Sequence, residues 1–143
     1  RGGKEALFVV HQAVHAALDL GARGAQLEAQ LALADLVAQL VDRVGAHVLQ
    51  QHGAGHAGLA FSLGDSAAGY AALSVMAAGS EVMTVEMKIN LLSPATGDRL
   101  VAEGRVVKAG RRIVVVAADV WAETAAGRKH VAMLQGTMIP VDP

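Results

Sequence analysis

In TVEMKINL, residues 84–91, Val85, Met87, Ile89 and Leu91 alternate with Glu86, Lys88 and Asn90. A period of two describes a half-buried strand. The texture continues downstream. RLVAEGRVVKA (99–109), RIVVVAADVWAE (112–123) and KHVAMLQGTMIPV (129–141) predict three more strands, the middle one rich in β-branched residues. Between them lie SPATGD (93–98), AGR (109–111) and TAAGR (124–128), where Gly110 is free to take a positive φ. Links this short predict antiparallel neighbours, because parallel strands need long crossovers. We therefore expect an antiparallel meander of four strands.

Upstream the period changes. Leu27, Leu31, Leu40, Val41, Val44 and Val48 recur at helical spacings, with Glu28, Asp35, Asp42 and Arg43 between them. Gly21 and Gly24 divide this half into predicted helices at about 5–20 and 26–50. GAGHAG (53–58) is a glycine-rich loop feeding a third helix, from about 57 to 77 and ending near Gly79. Helix followed by antiparallel sheet is an α+β domain, and 143 residues fit one domain.

Composition narrows the chemistry. There are no cysteines, which excludes disulfides, thiolate metal sites and a Cys nucleophile. The net charge is -1 with no run of like charges, so we expect no nucleic-acid partner, which would need clustered Lys and Arg. No apolar run is long enough to span a bilayer, and we expect no membrane association. Arg1, Lys4 and Glu5, followed by His11 and His15, do not resemble a secretory signal. A soluble, cytoplasmic protein is the expectation. His11 and His15 have the spacing of a zinc pair but lack the intervening Glu of the metalloprotease motif. His47, His52 and His56 span a predicted helix end and loop. We expect no metal at either place.

The helix over 57–77 carries one charged residue, Asp65, among small and apolar neighbours. A buried unpaired carboxylate is costly, which points to a task for it. The helix start, His56-Ala57-Gly58, has unpaired N–H groups and the positive end of the helix dipole, a place that stabilises an oxyanion. Nine residues separate His56 from Asp65, about 13–14 Å along a helix and on its opposite side. One helix cannot bring both to one reacting carbon, but two antiparallel copies across a two-fold axis can. If Asp65 and those amides act together, the protein is an obligate dimer with shared sites.

The span from about 55 to 139 resembles the hotdog-fold acyl-CoA thioesterases of the phenylacetate-degradation type. That family's motif is His-Gly-Gly, an acid nine residues after the His, then small residues. Here it reads His56-Ala57-Gly58, Asp65 and SAAGYAAL, followed by TVEMKINLLSPATGD, VVKAGR and VAMLQGTMIPV. The resemblance implies a hotdog fold, a long central helix wrapped by a curved antiparallel sheet. It also implies a single domain over 1–143, with 53–141 as the matching core and 1–52 as an atypical, unusually helical N-terminal part. By position, Asp65 becomes the nucleophile or the general base that activates water. The N–H groups of Ala57 and Gly58 bind the thioester oxygen, and His56 shapes the loop. Gln50 stands where an amide side chain assists, and Thr84 where a hydroxyl orients the water or the carboxylate. Lys108, Arg111 and Arg112 stand where CoA phosphates are met.

The function implied is hydrolysis of an acyl-CoA to CoA and a free acid, the acyl group aromatic in the nearest family type. No metal or cofactor is called for, CoA being part of the substrate. The partners implied are the acyl-CoA and a second copy, with homodimer and dimer of dimers both open. Ala57 replaces the first Gly of the motif and serves only if its φ is negative. The alternative is a non-catalytic hotdog module that binds acyl thioesters or serves dimerisation.

Overall fold

The structure, a computed structural model, describes residues 38–43 and 49–141. Five strands form one antiparallel sheet: β1 (Ala38–Arg43), β2 (Glu81–Leu91), β3 (Arg99–Ala109), β4 (Val114–Thr124) and β5 (Gly127–Val141). Their order across the sheet is β1-β3-β4-β5-β2. The helix α1 (Ala57–Leu73) lies on one face and touches every strand. This is the hotdog arrangement, α+β as expected.

Two expectations are corrected. The helix expected over 26–50 does not form at Ala38–Arg43, which is a strand paired with Arg99–Gly104 of β3. AQLVDR contains good helix formers, but a ladder along β3 outweighs local propensity. Nor does that helix reach residue 50: Leu49 bridges Gly55, and the chain turns at Gly53 with φ 72°. The helix expected at 5–20 and the remainder of 26–37 and 44–48 lie outside the described residues.

The sheet is also not a sequential meander. β3–β4 and β4–β5 are hairpins, but β2 pairs with β5 at the far edge. Seven linking residues reach up to about 25 Å. Crossing three strand spacings takes about 14–15 Å, so a short link does not force adjacency.

The interior forms where α1 meets the sheet. Ala60, Gly64, Ala67, Ala68, Gly69, Ala71 and Ala72 are buried on the helix. They face Leu100, Val116, Val120, Leu134 and Met138, all fully buried. The approach is close. A Cβ on Gly104 of β3 would run into the carbonyl of Ala67. One on Gly64 would sit 2.6 Å from the Leu134 side chain. Small residues thus let the helix backbone lie almost on β3.

Three register shifts leave Val85, Val107 and Val131 each without a partner in its ladder. Such bulges bend and twist strands, which helps the sheet curl around α1. The opposite face carries ion pairs. Arg128 bonds Glu103 at 2.8 Å and lies 4.2 Å over the ring of Trp121, which stacks on His130 at 4.3 Å. Among the described residues, no helix is long and apolar enough to cross a membrane.

Candidate active site

α1 begins because His56 caps it. His56 is extended (φ -62°, ψ 141°), and its Nδ1 accepts the N–H of Gly58 at 2.9 Å. A side chain that satisfies one of the first free N–H groups stabilises the helix start. The cap takes Gly58's N–H, while the N–H of Ala57, at the first helical position, meets no acceptor among the described residues. The two amides expected to act together therefore differ: Gly58's is engaged by the cap and Ala57's has no partner among the described residues. Among the described residues no non-glycine has a positive φ, so Ala57 adopts its place without strain.

Asp65 lies two turns further along α1, on a half-buried stretch of helix. Its Oδ1 accepts a hydrogen bond from Thr84 Oγ1 of β2 at 2.9 Å. Its Oδ2 meets no donor among the described residues. One oxygen is thus held while the other is available to a water or a carbonyl carbon. Eight residues of continuous helix separate Ala57 from Asp65, about 12 Å. Within one chain, then, the amide and the carboxylate remain apart.

Gln50 falls in the turn ahead of the helix. Its N–H donates to the carbonyl of Ala54 at 2.8 Å, and its carbonyl accepts from Gly53 at 3.0 Å. Gln50 and Ala57 meet at a cavity of about 340 Å³ whose other walls include Leu91, Leu92, Pro94 and Val131. The Val131 carbonyl accepts the N–H of Leu92 at 2.9 Å, fixing this wall. An apolar cavity of this size beside a free amide can hold an acyl group. Its aliphatic lining was not singled out from the sequence. Leu91 reads there as the end of a strand and Ser93-Pro94 as the start of a turn, and only the placement of β2 against β5 brings this segment to Ala57.

Lys108 is the penultimate residue of β3, and Arg111 and Arg112 form the β3–β4 turn closed by Gly110 N–H to the Ile113 carbonyl at 2.9 Å. All three cations are exposed, far in sequence from the helix tip. His11, His15 and His47 lie outside the described residues, and no group of three or more His, Cys, Asp or Glu suited to a metal occurs among those described.

Residues 52–127 match the sequence model of the thioesterase superfamily. No curated protein matches the chain. Among solved structures, a thioesterase family protein from Silicibacter pomeroyi is 30% identical, with a TM-score of 0.73; the match covers 94% of this chain and 99% of that one. A conserved protein from Pseudomonas aeruginosa is 33% identical, with a TM-score of 0.65 over 73% of this chain and 81% of its own. The E. coli PaaI protein, from the phenylacetic acid degradation operon, is 28% identical, with a TM-score of 0.63 over 72% and 71%.

Proposed function

The chain belongs to the thioesterase superfamily, and on that premise we propose that it hydrolyses an acyl-CoA thioester at a site completed by a second copy. The observation that carries the reading is the Thr84–Asp65 hydrogen bond. A hydroxyl fixes one carboxylate oxygen and leaves the other open beside the helix. Asp65 then takes a proton from water as the water oxygen bonds to the carbonyl carbon; in the alternative its own oxygen bonds to that carbon, and water afterwards cleaves the resulting anhydride, freeing the acid and Asp65 and supplying the proton for sulfur. The carbonyl oxygen gathers negative charge against the Ala57 N–H of the second copy. The C–S bond breaks, and the proton passes to the departing CoA sulfur.

β2 supports a second copy at the sheet edge. Met83, Val85 and Leu91 are 54%, 58% and 59% exposed there, unusual for apolar residues on a free edge strand. The likeness to the E. coli PaaI protein supports an arylacetyl-CoA as the first substrate to test, with the acyl group in the cavity beside Ala57. Lys108, Arg111 and Arg112 are proposed to meet the CoA phosphates. Because Ala57 is unstrained, its replacement of the motif glycine does not favour a non-catalytic module.

The test is thiol release from a panel of acyl-CoAs by the wild type, Asp65→Ala and Asp65→Asn. Turnover is expected to fall at least about 100-fold in both variants, the scale of a lost general base. No release from any substrate, or unchanged rates in the variants, rejects the reading. Sizing in solution checks the second copy: a stable, active monomer contradicts it.

A further inference from the structure

Thr84 should not face Asp65 if β2 alternated regularly. Val82, Met87 and Ile89 all pack toward the core under α1. Counting back by twos from Ile89 and Met87 puts Val85 and Met83 on that side and Thr84 on the other. The structure has the reverse. Thr84 lies opposite Met138, a fully buried residue, and bonds the helix carboxylate. Val85 is 58% exposed. The inversion occurs at one place. Thr84 pairs with Met138 and Glu86 with Thr137, so Val85 is the extra residue of a bulge.

Two features of β5 seat this bulge. Just beyond it, paired with Met87, lies Gly136, where a Cβ would stand 2.6 Å from the Glu86 carbonyl oxygen and 2.8 Å from the Met87 sulfur. The backbone of β2 occupies the space a side chain would need. On the outer face, Thr137 Oγ1 donates to Glu86 Oε1 at 2.8 Å and holds Glu86 opposite its partner. Glu86 is thereby fixed outward while Met87 continues inward, and the odd residue must be absorbed between Thr84 and Glu86.

We propose that the Val85 bulge, seated by Gly136 and pinned by the Glu86–Thr137 hydrogen bond, is the device that turns Thr84 onto Asp65. This rests on the hydrolase reading above, and it makes Gly136 and Thr137 positioning residues for that reaction. Neither is on α1 and neither touches Asp65; both act through Thr84. Hydrolysis therefore depends on the register of β5 as well as on the helix motif.

The experiment measures kcat, KM and Tm for Thr84→Val, Gly136→Ala and the double variant. Gly136→Ala is expected to lower kcat about tenfold, as for a lost hydrogen bond to a charged group, with KM within about twofold. Adding it to Thr84→Val should lower kcat no further, while the two losses in Tm add. Thr137→Val, on the outer face, gives the same direction with a smaller fall, and Thr137→Ser restores the wild-type rate. Wild-type kcat in both Gly136→Ala and Thr137→Val overturns the proposal, as do kcat losses that multiply in the double variant. A wild type inactive on every acyl-CoA defeats the hydrolase reading alone. Crystal structures of wild type and Gly136→Ala then decide: Thr84 still bonded to Asp65 in the variant overturns the positioning role, and Thr84 turned away supports it. If Gly136→Ala does not fold, Thr137→Val is crystallised in its place under the same criterion.

Discussion

At its tip α1 offers a backbone N–H; eight residues on, it offers a carboxylate, and the two are held by different means. The tip is local. His56 caps the helix, the cap consumes Gly58's N–H, and Ala57's N–H is left over. Any residue with a helical φ and an N–H presents the same group there, which is why an alanine stands in a glycine's place. The middle is non-local. Asp65 depends on a hydroxyl nineteen residues later, and that hydroxyl depends on how β2 lies against β5. A site of this kind tolerates changes of side chain at one half and not at the other.

The sharpest way to break the comparison is to delete the backbone group alone. Proline at the first helical position removes only an N–H that the helix does not use, and its ring suits a helical φ. The residue before a proline must be extended, and His56 already is, at φ -62°, ψ 141°. Ala57→Pro should therefore fold, with Tm changed by a few degrees at most, yet lose about 10²–10³ in turnover, the scale of a missing oxyanion donor. Mixing it with Asp65→Asn sharpens the point. Each mixed dimer then holds one intact site, and random exchange restores about a quarter of wild-type activity. No recovery on mixing places both groups in one chain's site, against the helix geometry.

The contrast also sets what could be read in the sequence. The tip was legible because its signal is contiguous: His56, two small residues, then a helical pattern. So was Asp65, a lone charge on a small-residue face. β3, β4 and β5 were legible for the same reason, since turn residues and alternation lie side by side along the chain. What failed was pairing at a distance. AQLVDR reads as helix until β3 is beside it. TVEMKINL alternates so regularly that Val85 counts as a core residue, and nothing within the segment reveals that Gly136 makes room for a bulge. Thr84 was singled out by resemblance, and its link to Asp65 needed the fold. The cavity lining of Leu91, Leu92 and Val131 was hidden for the same reason.

A smaller effect is expected at His56. Alanine there removes the acceptor of Gly58's N–H, and a lost cap costs about 1 kcal/mol. That should lower Tm by several degrees. Turnover should stay within about threefold at a temperature where the variant is folded, because the Ala57 N–H remains. His56→Asn, which can cap in the same way, should recover most of the stability. Thermal melts and thiol-release rates on the same preparations separate the two roles. A fall of 100-fold in turnover with Tm unchanged would give the ring a chemical part and end its reading as a cap.

The smallest effect is the most demanding of the comparison. Ala57→Gly restores the glycine of the family motif and keeps the N–H. If the tip acts through its backbone alone, kcat and KM should both stay within about twofold of wild type. Glycine does cost helix stability, less than about 1 kcal/mol at a first-turn position, so Tm should drop slightly. The outcome that overturns this is a gain in kcat of tenfold or more. It would mean that the alanine methyl obstructs the thioester at the mouth of the cavity that Ala57 shares with Gln50. The tip would then be as sensitive to side chains as the middle of the helix.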